Sequence, residues 1–482
     1  MSYFSDILSN LVQDRGMTYS QLSKYSGIER TMTYRLMNGT RHPSDKGQVD
    51  AICETLQLSI AQQKNLLRAY YIDSVGAETF LRREYLNEQF SNPWFLRDIT
   101  PKMIAPVKKI PSGQVMIVNG RHAVIELAES IVSDEADDMS GKGVRIFINP
   151  AVQAFWDMIF MLAARYPALK IQHLLVFENS KKSDRDVTNL KTLFSALPLI
   201  RKNRNYETRV FYNELEKVFS ETSVFPCFIV TEHALLECTA DGYTGRLIRE
   251  KNVVGFYISR FDRLFRENSS LAKSYTDLND FVQYIQYFMK FNNKASDDAN
   301  FLFETQASVL RYMPPKIMMK VMNERLAPAL KTTIKEYMHQ EMVIRTRKKK
   351  EAVQCYFYTK AGIRAFLSEG IIRSVPDLFY NRVSREDAKV MLKLLIQDAR
   401  EGDPQVRMLD ENRIRLPAYL AFSSSEKKFG VAFYLPEADF CTIDISERSL
   451  TNAFFDYLTY LSNSEACAGQ EESIAWLESA LK

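Results

Sequence analysis

From Ser26 to Ser44 the chain reads SGIERTMTYRLMNGTRHPS, with Arg30, Arg35 and Arg41 inside it, His42 beside the last and one acid, Glu29, near the start. On a helix beginning at Arg30, the side chains of Arg30, Thr31, Tyr34 and Arg35 share one outward arc, while Ile28 and Leu36 turn inward. A guanidinium's planar fork meets O6 and N7 of guanine together, worth about 1–3 kcal/mol against a wrong base. Thr31 and Tyr34 suit a thymine methyl or a phosphate. Thr18 and Tyr19 begin the preceding helix, where backbone donors and the helix dipole favour a phosphate. Arg41 and His42, just past the second helix, add a backbone clamp. These residue types at these spacings are suited to double-stranded DNA. Arg30, Thr31, Tyr34 and Arg35 face bases; Thr18, Tyr19, Arg41 and His42 face phosphates.

Short helices must position them. Phe4, Ile7, Leu8, Leu11 and Val12 make one apolar face, and Gly16 stops that helix. TYSQ at Thr18–Gln21 is a capping box, and SIAQ at Ser59–Gln62 repeats it. Between them, one helix runs from near Glu29 to Asn38-Gly39, and another buries Val49, Ile52, Cys53 and Leu56. A sixth helical segment covers 77–91 and is a candidate for a dimer contact or for coupling between domains.

Residues 16–44 resemble the helix-turn-helix of the Xre family, the fold of the lambda-type repressors and Cro. The resemblance rests on Thr18, Leu22, Ser23, Ser26-Gly27-Ile28, Arg30-Thr31, Arg35-Leu36 and Gly39-Thr40-Arg41-His42-Pro43-Ser44. It covers about seventy residues, and implies a five-helix DNA-binding domain. Two positions depart from the family pattern: Tyr19 replaces a frequent Gln, and Thr33 replaces a buried aliphatic residue, which softens the packing under the recognition helix.

The rest is less explicit. The chain has 482 residues and a net charge of only +4, so it holds several domains and any phosphate-binding surface is local. Six dispersed cysteines and five dispersed histidines fit no local zinc motif and suggest a reducing compartment. No cofactor is expected, because no G-x-G-x-x-G, Walker loop or nucleophile elbow occurs. The N-terminus does not resemble a signal peptide, and the longest apolar run, AVQAFWDMIFMLAA from Ala151, carries Asp157 and is too short to span a bilayer. No membrane partner is expected, and the location is expected to be cytoplasmic. RTRKKK at Arg345–Lys350 and RKNR at Arg201–Arg204 read as solvated segments. HALLECTAD at His233 is similar to a phospholipase D signature, but Leu235 stands where that signature has its lysine and Asp241 is one place off. A non-enzyme is therefore expected. The layout of 115–275 weakly resembles phospholipase-D-like sensor domains of some transcription regulators, which implies a small-molecule effector.

The fold class expected is multidomain: an all-α five-helix lambda-repressor-like domain followed by an α/β (α+β) sensor region. The divisions are 1–75 helix-turn-helix, 76–102 helical linker around a proline-rich boundary, 103–275 α/β sensor, 276–340 helical connector and 341–482 second α/β domain. The order strand, turn, strand, aromatic helix occurs at 229–271 and again at 420–464, which raises an internal duplication. The function expected is a sequence-specific transcriptional regulator. It would bind a DNA operator as a homodimer on half-sites about 34–36 Å apart and respond to a small-molecule or peptide effector. Two rivals remain: a phosphodiesterase- or nuclease-like enzyme with a helix-turn-helix head, and a protein-gripping module of antitoxin or phage-defence type.

Overall fold

The computed structural model describes residues 2–92, 115–137, 143–180, 185–220, 222–275, 280–286, 300–305, 309–346, 354–372, 375, 377–414, 420–425, 428–434 and 440–482. The proline-rich stretch 93–114 and residues 347–350 of the basic run lie outside these. Two compact units result. The first is Met1–Tyr85 with Lys181–Val187; the second is Leu86–Ser180 with Thr188–Lys482.

The first unit is helical: α1 (Tyr3–Asp14), α2 (Tyr19–Ser26), α3 (Arg30–Met37), α4 (Lys46–Thr55), α5 (Ile60–Val75) and the start of α6 (Ala77–Ser91). Capping boxes start α1, α2 and α5, each pairing the cap side chain with the backbone three residues on. The apolar positions left facing inward meet in one core, where Phe4, Leu8, Leu22, Leu36, Val49, Ile52 and Leu66 are fully buried. Asp73, near the end of α5, accepts the N–H groups of Tyr3 (3.1 Å) and Phe4 (2.8 Å) and so anchors the start of α1. Gly39 closes α3 at φ +69°, and a Cβ there would lie 2.8 Å from Ser5 Oγ and 3.0 Å from the Ser2 nitrogen. Only glycine allows the turn after α3 to approach α1 this closely.

The second unit holds two sheets. Strands β1 (Val115–Asn119), β2 (Val144–Phe147), β3 (Ile171–Glu178), β4 (Tyr206–Asn213), β5 (Cys227–Val230), β6 (Leu235–Cys238), β7 (Thr244–Ile248) and β8 (Ser269–Ser270) form the first. The second contains β9 (Ala272–Tyr275), β10 (Asn300–Glu304), β11 (Gln354–Tyr358), β12 (Gln405–Met408), β13 (Leu420–Ser425), β14 (Lys428–Tyr434) and β15 (Phe440–Ile445). Their orders are β1-β7-β6-β5-β2-β3-β4-β8 and, read from the matching edge, β9-β15-β14-β13-β10-β11-β12. Seven strands thus repeat in the same order, and in the same sense: β2, β3, β4 and β10, β11, β12 run parallel, and every other matched pair is antiparallel.

The repeat reaches single residues. Helix Lys251–Glu267 follows β7, and helix Arg448–Ser462 follows β15. Glu250 caps the first by accepting from the Asn252 and Val253 nitrogens (3.0 and 2.7 Å). Glu447 caps the second through Ser449 and Leu450 (2.9 and 2.8 Å). At the far ends, the Asn268 amide donates to Leu264 O and the Asn463 amide to Thr459 O. The expected echo between 229–271 and 420–464 therefore has a structural counterpart.

One expectation is overturned. Residues 300–304, read as part of a helical block, form the interior strand β10 between β11 and β13. Phe301 and Phe303 alternate into the core (8% and 1% exposed), a period of two that pairing on both edges stabilises. Phe90 of α6 packs on Phe303, Phe422 and Tyr457. The run at Arg201–Arg204 is not wholly solvated either: it closes helix Arg185–Lys202, and Arg201 is buried. Cys227 and Cys238, eleven residues apart in sequence, face each other across β5 and β6. Burial pushes the Cys227 thiol up to about 12 and raises Cys238 as well, which makes both poor nucleophiles.

Candidate nucleic-acid interface

The two helices expected to meet DNA are fixed by local chemistry. Thr18 accepts the Gln21 N–H (3.3 Å), and Gln21 Oε1 accepts the Thr18 N–H (2.9 Å), so α2 starts at Tyr19. The Thr18 hydroxyl also donates to Gln21 Oε1 (2.9 Å), so it serves the cap, and an anion there would meet backbone donors. Gly27 ends α2 in the left-handed region at φ +72°. Ser23 Oγ donates to Ile28 O at 2.7 Å and pins the turn. Arg30 is then the first residue of α3, whose cap residue Glu29 makes no side-chain cap bond. Neither α2 nor α3 carries an acid in its first turn, and Glu29, at the cap of α3, is the one acid at either start.

Leu22 and Leu36 are fully buried and Ile28 nearly so. Arg30, Thr31, Tyr34 and Arg35 all lie on the solvent side of α3, as the spacing predicts. Thr33, expected to soften the packing, is 1% exposed and satisfied, since its hydroxyl donates to Glu29 O (3.1 Å) and Ile28 O (3.4 Å). After α3, the Thr40 and Arg41 nitrogens both donate to Arg35 O (3.0 and 3.3 Å), which turns the chain and leaves Arg41 exposed.

Two expected phosphate ligands have protein partners. His42 Nδ1 lies 3.5 Å from Asp73 Oδ2, the carboxylate that anchors α1. Tyr19 Oη accepts from Arg30 Nη2 at 3.2 Å, and the guanidinium carbon stands 5.4 Å from the centre of the Tyr19 ring. Tyr34 meets the same ring edge-on, at 5.9 Å and 66°. The bond from Arg30, and then its charge, hold the Tyr19 phenol below its ordinary pKa. Sequence reasoning placed Tyr19 and Arg30 on different targets; only their eleven-residue spacing, spanning the turn, hinted at a meeting. It also passed over Lys24 and Tyr25 at the end of α2, both exposed, with the ammonium 5.9 Å from the ring centre.

Outside this unit, the residues weighed for catalysis do not converge. His233 lies in the turn between β5 and β6, and Asp241 in the turn after β6, at the strand's opposite end. Thr239 Oγ1 and the Tyr243 nitrogen both donate to the Asp241 carboxylate. Among the described residues no group of three or more His, Cys, Asp or Glu could hold a metal ion, and no helix is long and apolar enough to cross a membrane.

Residues 8–62 match the Cro/C1-type HTH DNA-binding domain. No curated protein matches the chain. Among solved structures, the polyphosphate kinase of Porphyromonas gingivalis is similar over 90% of this chain and 65% of its own, at 8% identity and a TM-score of 0.21. The chain therefore spans slightly less than two thirds of the kinase. TrmBL2, an archaeal chromatin protein with a novel mode of DNA binding, is similar over 56% of this chain and 94% of its own (12% identity, TM-score 0.21). The phosphatidylserine synthase of Haemophilus influenzae Rd KW20 is similar over 83% of this chain and 97% of its own, at 7% identity and a TM-score of 0.21. Likenesses this distant assign no activity to this chain.

Proposed function

We propose that this protein is a cytoplasmic, sequence-specific DNA-binding transcriptional regulator that acts as a homodimer, with a non-catalytic α/β unit that senses an effector. The observation that carries this is the exposed face Arg30, Thr31, Tyr34 and Arg35 on α3, held outward by buried Leu22, Ile28 and Leu36 within the Cro/C1-type domain. A recognition helix offers its N-terminal residues to base edges in the major groove, and Arg30 stands first on α3. Arg41, exposed beyond the helix, is placed to meet the backbone.

Few base contacts come from one such helix, so specificity calls for two copies on a two-fold symmetric site. Helix α6, whose Leu86 and Phe90 are buried in the second unit, is the candidate for the dimer contact or for coupling between domains. For the effector, a half-open cavity of about 340 Å3 lined by Phe160, Pro198, Leu199, Lys202, Asn203 and Arg204 is of ligand size. The separation of His233 from Asp241 by β6 supports a body without phosphodiesterase chemistry.

The test is selection of bound duplexes from a random library by wild type and by Arg30→Ala/Arg35→Ala. A two-fold symmetric motif that the double variant loses is the expected result. If wild type enriches no motif, with or without small-molecule pools added, the regulator reading fails.

A further inference from the structure

We propose that Tyr19 is a positioning residue for Arg30, and that the pair makes the first residue of α3 a reader of one guanine in each half-site. The inference rests on the DNA-reading role proposed above and deepens it.

An arginine at the exposed start of a helix ordinarily samples many rotamers. Arg30 is engaged twice by one side chain, through the face of the Tyr19 ring and through its hydroxyl. Tyr34, one turn beyond Arg30 on α3, supports that ring from the side. Tyr19 of α2, backed by Tyr34 of α3, thus holds one guanidinium on the surface that the turn presents. The bond to Tyr19 uses one of five N–H donors. The parallel donors that O6 and N7 of guanine require remain available, and a preorganised fork loses less freedom on binding them. The lowered pKa of the Tyr19 phenol agrees with the arginine as its hydrogen-bond donor. A phosphate contact by Tyr19 would behave differently, because phosphates carry no sequence information and its loss would weaken every site alike.

The experiment measures wild type, Tyr19→Phe, Arg30→Ala and the double variant on the selected operator and on duplexes changed at one base pair each. Arg30→Ala should erase a guanine preference of about 5- to 150-fold at one position per half-site. Tyr19→Phe, which keeps the ring and loses the hydroxyl, should reduce that same preference several-fold and spare the others. In the Arg30→Ala background Tyr19→Phe should change nothing further, since coupled residues are not additive. The proposal is overturned if Tyr19→Phe weakens all duplexes equally, or if its effect adds in full to that of Arg30→Ala. A motif that survives Arg30→Ala overturns it too, yet leaves the regulator reading standing; no motif at all removes both. The unbound protein gives a second readout through 13C-ζ-tyrosine NMR. Arg30→Ala should return the Tyr19 phenol toward its ordinary pKa, and an unmoved titration would contradict the pairing.

Discussion

Thr33 keeps a hydroxyl beneath the recognition helix by giving it two carbonyl acceptors, one of which already takes the Thr33 N–H. The hydroxyl is therefore dispensable. Thr33→Val should change unfolding free energy by less than about 1 kcal/mol, whereas Leu36→Ala should cost about 2–5 kcal/mol; urea denaturation distinguishes them. His173 on β3 makes a sharper case. It is fully buried, bonded to Tyr206 Oη at 2.8 Å, and burial lowers its pKa to about 3. The unfolded chain titrates near 6.5, so between about pH 3 and 6.5 the unfolded state binds the extra proton. Stability is then full above about 6.5 and falls as the pH drops, by up to about 1.4 kcal/mol per unit. His173→Phe should flatten that slope by up to one proton, as urea midpoints from pH 4 to 7 would show. At this scale the outward set on α3 was legible, because helical period and polarity decide it. The meeting of Tyr19 with Arg30 and of His42 with Asp73 was not, because each depends on how separate helices cross.

Helices with their own start signals were the readable elements. Capping boxes mark α2 and α5, and the boundaries follow from hydrogen bonds between residues three apart. Strand β10 was hidden because NFLFE is short and gains its strand character from β11 and β13, which lie far along the chain. Helix Arg185–Lys202 was similarly obscured by Pro198 within it. Strand and helix in series made the α/β class legible, but the shared seven-strand order was not, since sequence reveals which segments are strands and not which lie side by side. The matched caps can be tested together. Glu250→Ala and Glu447→Ala should each lower the melting temperature, with additive effects, because each frees two backbone donors at a different helix start; Glu447→Ala should lower it more, since Glu447 also accepts from Tyr212 Oη. A null effect at one site in thermal melting would mean that the two caps have diverged in role.

For the whole molecule, a net charge of +4 gives little general attraction to nucleic acid, so affinity must come from the local surface around α2 and α3. Arg41→Ala should weaken binding about equally on all sequences and lower the slope of log affinity against log salt by about 1 per subunit. Filter binding between 50 and 200 mM salt would measure it, and an unchanged slope would remove Arg41 from the backbone contacts.

The sheet order also sets a timetable for synthesis. Asn119 of β1 pairs with Thr244 of β7, 125 residues later, and Tyr275 of β9 pairs with Thr442 of β15. At about 5–20 residues per second, β1 leaves the ribosome roughly 6–25 s before its partner exists. Its Val115 and Ile117 stay more than half exposed even in the finished fold. Each half of the second unit therefore opens with a strand that must wait for the seventh strand of its own repeat, and nascent chains stalled within either interval should be the forms most dependent on chaperones.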